Sequence, residues 1–392
     1  IDDSLQQQER VAEKLQSNDT SLIIRTLAYE MQVTDRDESN AVISDGTEAT
    51  VLRRRDLHLP DAPLLLIDAD ANPLLLKQFF GDRITVEDIR VERDAEVYQF
   101  SDRTFSKTAF DKNPELITQV GNFISSVSAS GKTLVVSNKG LEEDLAGLDV
   151  GDATLDHFNN LRGVNLYSDF ENIIIVGRIQ PSSVDIEKLA RGLWYDAEEP
   201  FALLEEKSGS RPLESEKRGY RLKGDSGSAM TQVHPDWRVQ ALLEQMRESE
   251  STQAIDRLRL LRPHPEGRQR RVFILCSVPL DVTVDHLESW SGLQKMIALV
   301  QSCDGIVPLN KKHLLAACPE LSSEPTAQRR ITDLKRITSL ISISIRGLIL
   351  LTAQYKLRGQ KRPSEVLYDA RFDSEQVQKR LEQLTDDAIE MV

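Results

Sequence analysis

The stretch Thr154–Pro181, TLDHFNNLRGVNLYSDFENIIIVGRIQP, carries the strongest fold signal in this sequence. Near its end, Ile173–Val176 is a run of four β-branched residues. Such a run between turn residues is typical of a parallel strand that is buried on both faces. Arg162-Gly163-Val164-Asn165 precedes the run, and Gly177-Arg178 follows it. We therefore predict a central strand of a parallel sheet, with a polar, glycine-containing loop beside it.

Shorter apolar runs on both sides of this strand alternate with helical patterns. This alternation is typical of βαβ units, so it predicts an α/β fold in which helices flank a parallel sheet. The final part of the chain, residues 284–392, has helical patterning throughout and predicts an all-helical C-terminal domain. The other predicted strands of the sheet are Ala95–Phe100, Thr133–Val136, Leu155–Phe158 and Val272–Leu275.

We divide the chain at three points. Residues 1–60 are charged and predicted to be helical or irregular, and residues 61–113 hold a strand and a connector. Residues 114–283 hold the regular α/β alternation. Within the second segment, Leu64–Ile67 is typical of a buried strand, and Asp68-Ala69-Asp70 follows it directly. Carboxylates at the carboxyl end of a strand lie where open α/β sheets bind their ligands.

Composition limits the classes of protein that fit. The chain has 392 residues, of which 29% are charged and 40% hydrophobic, as in soluble globular proteins. The net charge of −14 argues against a chain that coats nucleic acid over its whole surface, but it allows a local basic patch. The long apolar segment Ile337–Tyr355 contains Arg346, which disfavours a membrane span. We expect a cytoplasmic protein without a metal site, whose three cysteines are buried reduced thiols.

One apparent phosphate-binding motif is excluded by its context. Ser130-Gly131-Lys132-Thr133 contains the Gly-Lys-Thr of a phosphate-binding loop, but Ser126 stands where that loop requires its first glycine. The motif also precedes a predicted strand, whereas a phosphate-binding loop follows a strand and begins a helix. We interpret it as a turn before a strand.

Four landmarks in order resemble the second RecA-like lobe of superfamily 2 helicases, in particular the helicase halves of primase–helicase replication proteins from phages and plasmids. Asp68-Ala69-Asp70 occupies the place of the Ser/Asp-Ala-Thr element, and Val135-Val136-Ser137-Asn138 is similar to a strand that ends in Ser or Thr. Gly163-Val164-Asn165 matches a Gly-x-Asp element, and Gln253–Arg257 matches the Gln-x-x-Gly-Arg helix. The resemblance covers residues 60–280.

The resemblance implies roles for individual residues. Arg257 is the expected arginine finger, with Gln253 and Arg259 as companions. Three differences stand out: Asp256 replaces a glycine, Asn165 replaces an aspartate, and Leu260 stands at the place of the second arginine. On one α-helix Gln253 and Arg257 share a face, and Arg259 lies off it. We expect Arg162, Asn165 and Arg257 near the carboxyl ends of the strands. The residues implied to bind nucleotide are Gly163, Asn165, Asp68 and Asp70, and those implied to bind nucleic acid are Ser137, Asn138 and Arg162.

The resemblance also implies ATP and Mg²⁺, bound mainly by a lobe that carries a phosphate-binding loop. This sequence contains no Gly-x-x-x-x-Gly-Lys-Ser/Thr motif. We therefore expect it to be the downstream part of a motor. Its expected partners are an ATP-binding lobe or a primase domain, and single-stranded or duplex DNA.

A basic segment near the C-terminus gives a separate nucleic-acid signal. Residues 329–362 contain nine basic residues and one acid, a net charge of +8 in a chain of −14. Cations together with an aromatic residue suit backbone contact and base stacking. The alternative is a solvated helix face. The residues that we predict to contact DNA are Tyr355, Lys356, Arg358, Lys361 and Arg362.

Two other functions remain open from the sequence. A non-enzymatic DNA-binding or assembly module with a degenerate RecA-like fold also fits the missing phosphate-binding loop and the substitutions at Asn165 and Asp256. A regulatory scaffold that binds only protein is the third alternative.

Overall fold

The computed structural model describes residues 20–392, apart from 45, 53, 55–56, 58–61, 90–91, 162, 164, 208–209, 225 and 341–349. The chain forms two compact units, and each is assembled from separated segments. The first unit comprises the described residues up to position 90, Ile179–Arg218 and Met230–Gln253. The second comprises Val91–Arg178, Gly219–Ala229 and Ala254–Val392.

Strands and helices alternate along most of the chain. The strands are β1 Val42–Ser44, β2 Ala49–Val51, β3 Glu96–Phe100, β4 Thr133–Ser137, β5 Thr154–His157, β6 Asn172–Val176, β7 Glu214–Gly219, β8 Ser228–Val233, β9 Arg271–Leu275, β10 His286–Glu288, β11 Ile306–Pro308, β12 Leu350–Leu357, β13 Ser364–Asp369 and β14 Ile389–Met391. The helices are α1 (residues 20–33), α2 Pro73–Phe80, α3 Lys107–Lys112, α4 Pro114–Ser128, α5 Lys139–Ala146, α6 Ser183–Leu193, α7 Trp237–Glu244, α8 Glu250–Ile255, α9 Trp290–Ser302, α10 Lys311–Ala317, α11 Glu324–Leu340 and α12 Ser374–Thr385.

A six-stranded sheet forms the centre of the second unit. Its order is β10-β3-β9-β6-β4-β5, and each neighbouring pair is parallel. The strand β6 lies between β9 and β4, and all five of its residues are buried. This confirms the predicted central strand, because a β-branched run without polar alternation is stable only when both faces of the sheet are covered.

Helices cover this sheet through a cluster of aromatic side chains. Trp290 at the start of α9 meets Phe100, Phe105 and Phe123 edge to face, with ring centroids 5.2–5.5 Å apart. Phe123 also contacts Phe273 of β9 in the same geometry, at 5.5 Å. Edge-to-face pairs of this kind add about 0.5–1.5 kcal/mol each beyond the burial of their area. The cluster therefore fixes α4 and α9 against the sheet.

The first unit has a smaller core. Ile186, Ala190 and Trp194 of the α6 region pack with Val239 and Leu243 of α7. The hydroxyl of Ser182 accepts the Asp185 N–H at 3.1 Å and begins α6, and the carboxylate of Asp236 accepts the Arg238 N–H at 2.9 Å and begins α7. These caps satisfy backbone donors that a helix leaves without partners at its start.

The predicted strand Leu64–Ile67 is wrong. These four residues have no regular secondary structure, and their exposed fractions range from 47% to 90%. They belong to the first unit, whereas the parallel sheet belongs to the second. Periodicity alone does not separate a buried strand from an apolar run that finds no sheet partner.

The prediction of an all-helical C-terminal region is also wrong. Four strands form an antiparallel sheet in the order β11-β13-β12-β14, with α12 packed against it. Along β12 the side chains of Ala353, Tyr355 and Leu357 join the core shared with α12, while Gln354 between them is exposed. This alternation has the period of a strand. In the sequence, the alternating residues of β12 follow a longer apolar run. The run and the strand together therefore have a pattern that is typical of a helix.

Two further predictions concern membranes and thiols. Within the part of the chain that the structure describes, no helix is both long enough and apolar enough to cross a bilayer. Cys276, Cys303 and Cys318 are free thiols and all are buried, as predicted.

Candidate functional site

Two segments of the resemblance meet in the second unit. The guanidinium of Arg259 donates a hydrogen bond to Oδ1 of Asn165, which lies 94 positions earlier in the chain. Two residues beside this contact have positive φ values. Gly163 has a φ of +76°, and Arg259 itself has the left-handed values φ 56° and ψ 46°. A non-glycine residue in this region costs about 1–3 kcal/mol and tends to occur at functional sites.

Arg270 fastens the two loops that carry these residues. Its guanidinium donates to the carbonyls of Arg259 at 3.2 Å, Arg262 at 2.7 Å and Ser168 at 2.6 Å. The side chain is buried, with 2% of the residue exposed, and burial lowers the pKa of the guanidinium. A buried cation held by carbonyl oxygens fixes loop positions without cancelling its charge.

Arg257 has an unmet hydrogen-bonding requirement. Its Nε is buried, and no residue of the described chain accepts a hydrogen bond from it. A buried donor without an acceptor costs about 1–3 kcal/mol, so such an atom in a folded protein needs an explanation. An anionic ligand beside the guanidinium would supply the acceptor.

These residues, together called the amino-edge cluster (Asn165, Arg257, Arg259 and Arg270), lie at the amino ends of the strands. The Asp94 N–H, just before β3, donates to Leu260 O at 2.8 Å, and Arg270 directly precedes β9. The predicted position at the carboxyl ends is therefore wrong for Asn165 and Arg257. Both lie at one edge of the sheet, as expected, but at the opposite edge from the predicted one.

The predicted helix Gln253–Arg259 is also shorter than expected. The α-helix α8 ends at Ile255, a 3₁₀ turn covers Asp256–Leu258, and the left-handed Arg259 ends that turn. Because Arg257 and Arg259 do not lie on one continuous α-helix, the prediction that Arg259 points away from the face of Arg257 does not apply. Asp256, the first residue of this turn, accepts two hydrogen bonds from Arg93 at 2.8 and 2.9 Å.

The predicted nucleic-acid residues Ser137 and Asn138 lie at the other edge of the sheet. The chain leaves β4 and β6 in opposite directions, so their carboxyl ends form the switch point at which open α/β sheets bind ligands. Ser137 is 1% exposed, and Asn138 donates from Nδ2 to Arg178 O at 3.2 Å. Gly177 is required there, because a Cβ would lie 2.5 Å from the carbonyl oxygen of Phe105.

The remaining predicted nucleotide contacts lie in the first unit. Asp68 is exposed and accepts the Asp70 N–H at 2.9 Å, which shapes the turn before α2. Arg162 is outside the described residues, as is Val164. The structure therefore brings together Asn165 and Arg259 with the nearby Arg257, and it places Ser137 and Asn138 at a separate edge.

The basic C-terminal segment ends in the β12–β13 hairpin. Tyr355 is fully buried, and its hydroxyl lies 2.6 Å from Nδ1 of His313, so the prediction that Tyr355 stacks on a base is wrong. Lys356 is half-buried and lies opposite Glu390 of β14. Arg358, Lys361 and Arg362 are exposed around the turn. We call residues 358–363 the hairpin tip.

Sequence reasoning missed Arg93 and Arg270, which hold the amino-edge cluster in place. The available signal was the basic run Arg268-Gln269-Arg270-Arg271 directly before a buried strand.

Comparison with protein-family models, with curated proteins and with solved structures found no match.

Proposed function

We propose that this chain is the second RecA-like lobe and C-terminal region of an ATP-dependent DNA helicase from a phage or mobile-element replication system. The observation that carries the proposal is the contact between Asn165 and Arg259. Asn165 belongs to the Gly163–Asn165 element, and Arg259 lies two positions beyond the Gln253–Arg257 element, so residues 94 positions apart in the chain meet beside the two elements that resemble this family. A six-stranded parallel sheet with flanking helices is the architecture that such a lobe requires.

The residues of the amino-edge cluster fit a phosphate-bearing ligand. Arg257 has a buried donor in need of an acceptor, and Arg259 is oriented by Asn165. Guanidinium groups match phosphate oxygens in charge and in the geometry of their donors. Bound ATP would supply the phosphoryl group to be transferred. The resemblance implies that the Mg²⁺ ligands belong to the ATP-binding lobe. Among the described residues no group of three or more His, Cys, Asp or Glu side chains is arranged to hold a metal ion.

Each arginine then has its own role. Phosphoryl transfer is catalysed mainly by positioning and by stabilisation of charge, and an arginine finger contributes about 10³–10⁵ in rate. Arg257 stabilises charge on the phosphate oxygens. Asn165 and Arg270 are positioning residues, since one orients the Arg259 side chain and the other holds the Arg259 carbonyl.

A second candidate function is a non-enzymatic DNA-binding module with a degenerate RecA-like fold. The bidentate ion pair between Asp256 and Arg93 favours it, because a residue that replaces the glycine of the family has acquired a structural partner. The position of the cluster at the amino edge favours it as well, since open α/β sheets bind ligands at the carboxyl edge.

The test uses the protein together with its ATP-binding lobe. Arg257→Ala should lower DNA-stimulated ATP turnover by about 10³-fold or more while the affinity for nucleotide stays nearly unchanged. Lys112→Ala, which removes an exposed cation at the end of α3, is the control and should turn over like the wild type. Wild-type turnover in Arg257→Ala would remove the finger assignment. Absence of turnover in the assembled wild-type protein would favour the non-enzymatic module.

A further inference from the structure

The hairpin tip carries three exposed cations. Among the residues that the structure describes, Arg358, Lys361 and Arg362 form no ion pair and no side-chain hydrogen bond. Three other cations of the same region are paired: Lys335 with Glu365, Arg371 with Asp369, and Arg380 with Asp304. Three like charges within five positions repel one another, so the tip is suited to an anionic partner from outside the chain.

The backbone holds these cations in a defined arrangement. The Gln360 N–H donates to Leu357 O at 3.0 Å, and the Leu357 N–H donates to Oε1 of Gln360 at 3.2 Å. Gly359 has a φ of +86°, which the third position of a type II turn requires. Below the turn, Tyr355 is buried in the core shared with α12. The tip is therefore a preformed turn on an anchored stem, which lowers the entropic cost of binding.

We infer that the hairpin tip binds the phosphate backbone of duplex DNA without reading its sequence. The choice of DNA rests on the proposed function, and the choice of a duplex rests on the hairpin itself. Proteins that bind single strands combine cations with exposed aromatic rings on which the bases stack. Neither Tyr355 nor Tyr368 of this hairpin is exposed. A duplex needs only cations along its backbone, and its major groove admits a two-stranded β-ribbon.

The composition of the tip argues against a lipid surface and against base recognition. Residues 358–363 include no apolar side chain other than Pro363, so the tip has nothing to insert between acyl chains. The chain as a whole carries a net charge of −14 and is repelled by polyanions. Contact must therefore be confined to a local patch. Contacts to phosphates position a protein on DNA without specifying the sequence.

The experiment measures binding of a random-sequence 20-base-pair duplex, of a single strand of the same length, and of anionic phospholipid vesicles, all without nucleotide. The tip variant is Arg358→Gln/Lys361→Gln/Arg362→Gln. The matched control is Lys107→Gln/Lys112→Gln/Lys379→Gln, which removes three positive charges from exposed positions of α3 and α12. Both variants change the net charge equally, so a difference between them reports the location of the charges.

For a duplex the logarithm of the affinity falls by about 0.9 per neutralised phosphate for each tenfold rise in salt, so three contacts correspond to a slope of about 2.7. Between 50 and 200 mM salt the wild type should therefore lose about 40-fold more affinity than the tip variant. The control variant should keep the wild-type slope, and duplexes of different sequence should bind alike.

Four results would overturn the inference: no duplex binding at 50 mM salt, equal slopes in the wild type and the tip variant, equal flattening in both variants, or a dependence on the tip seen only with single strands or vesicles. The assay uses neither nucleotide nor turnover, so its failure leaves the test of Arg257 unaffected.

Discussion

Two groups of arginines in the second unit differ in what surrounds them. At the amino edge, Arg270 is buried and donates to three carbonyls, and Arg93 makes a bidentate ion pair with Asp256. At the hairpin tip, Arg358 and Arg362 are exposed and have no partner among the described residues. The same chemical group is therefore hydrogen-bonded within the fold at the amino edge and exposed to solvent at the hairpin tip.

The difference teaches which cations belong to the fold and which are free to bind. A buried guanidinium that donates to carbonyls or carboxylates supports the fold, because its removal leaves those groups without partners. Arg270 does so although its own Nε has no acceptor among the described residues. An exposed one contributes little to stability, because water satisfies its donors and screens its charge. Arg257 lies between the two groups, since it is half-buried and its Nε lacks an acceptor in the described chain. This unmet donor supports the proposal that Arg257 binds an anionic ligand.

Among substitutions of these arginines, we expect the largest loss of stability at Arg270. In Arg270→Met the apolar stem is kept, but the carbonyls of Arg259, Arg262 and Ser168 lose their donor. We expect the free energy of unfolding to fall by about 3–5 kcal/mol, measured by urea denaturation at pH 7. The matched variant at the tip, Arg358→Met, should stay within about 0.5 kcal/mol of the wild type. An Arg270→Met protein as stable as the wild type would show that these hydrogen bonds do not support the fold.

A smaller effect is expected for the ion pair of Asp256 and Arg93. Their side chains are 27% and 19% exposed, so the pair is partly screened by water. Asp256→Ala, Arg93→Ala and the double variant form a thermodynamic cycle, and we expect a coupling of about 1 kcal/mol. The cycle is needed because Arg93 has further contacts, which cancel only in the coupling term. A coupling indistinguishable from zero would show that the ion pair between Asp256 and Arg93 does not stabilise the fold.

The parallel sheet was predictable because its strands are specified locally. Ile173–Val176 consists of β-branched residues, and the sheet buries both of its faces, so no other element competes for this segment. The order of the strands was not predictable, since it depends on which neighbours pair across long sequence distances. Leu64–Ile67 shows the limit of the same signal, because its apolar run lies in the other unit and pairs with no strand of the sheet.

One contact of the candidate site joins two residues that the sequence analysis named, but at a location that it did not predict. Asn165 was named from a motif resemblance and Arg259 as a companion of Arg257, and the two are in contact. Their position at the amino edge follows from the break of the helix after Ile255, which has no sequence signature, and from the carbonyl contacts of Arg270, for which the basic run before β9 was the available signal. Tyr355 was misassigned because an aromatic residue among cations suggests a stacking surface, whereas the alternation along β12 turns this ring into the core.

At pH 7 the smallest expected effect concerns the stem that supports the hairpin tip, because this effect develops only as the pH falls. His313 of α10 lies with Nδ1 2.6 Å from the Tyr355 hydroxyl. Burial lowers the pKa of His313 below its usual 6.5, and the positive charge of Lys312 lowers it further. Burial also raises the pKa of Tyr355, so its hydroxyl stays protonated beside the neutral imidazole.

The sign follows from proton linkage. As the pH falls below about 6.5, the unfolded chain protonates this histidine before the folded chain does, so the free energy of unfolding decreases. The contribution of one such group cannot exceed about 1.4 kcal/mol per pH unit. In His313→Gln this part of the slope should disappear between pH 7 and 5, as measured by urea denaturation, while duplex binding at pH 7 should not change because the tip cations remain. Equal slopes in the two proteins would contradict a neutral His313 in the folded state. Loss of duplex binding in the variant at pH 7 would show instead that the stem and the tip do not act separately.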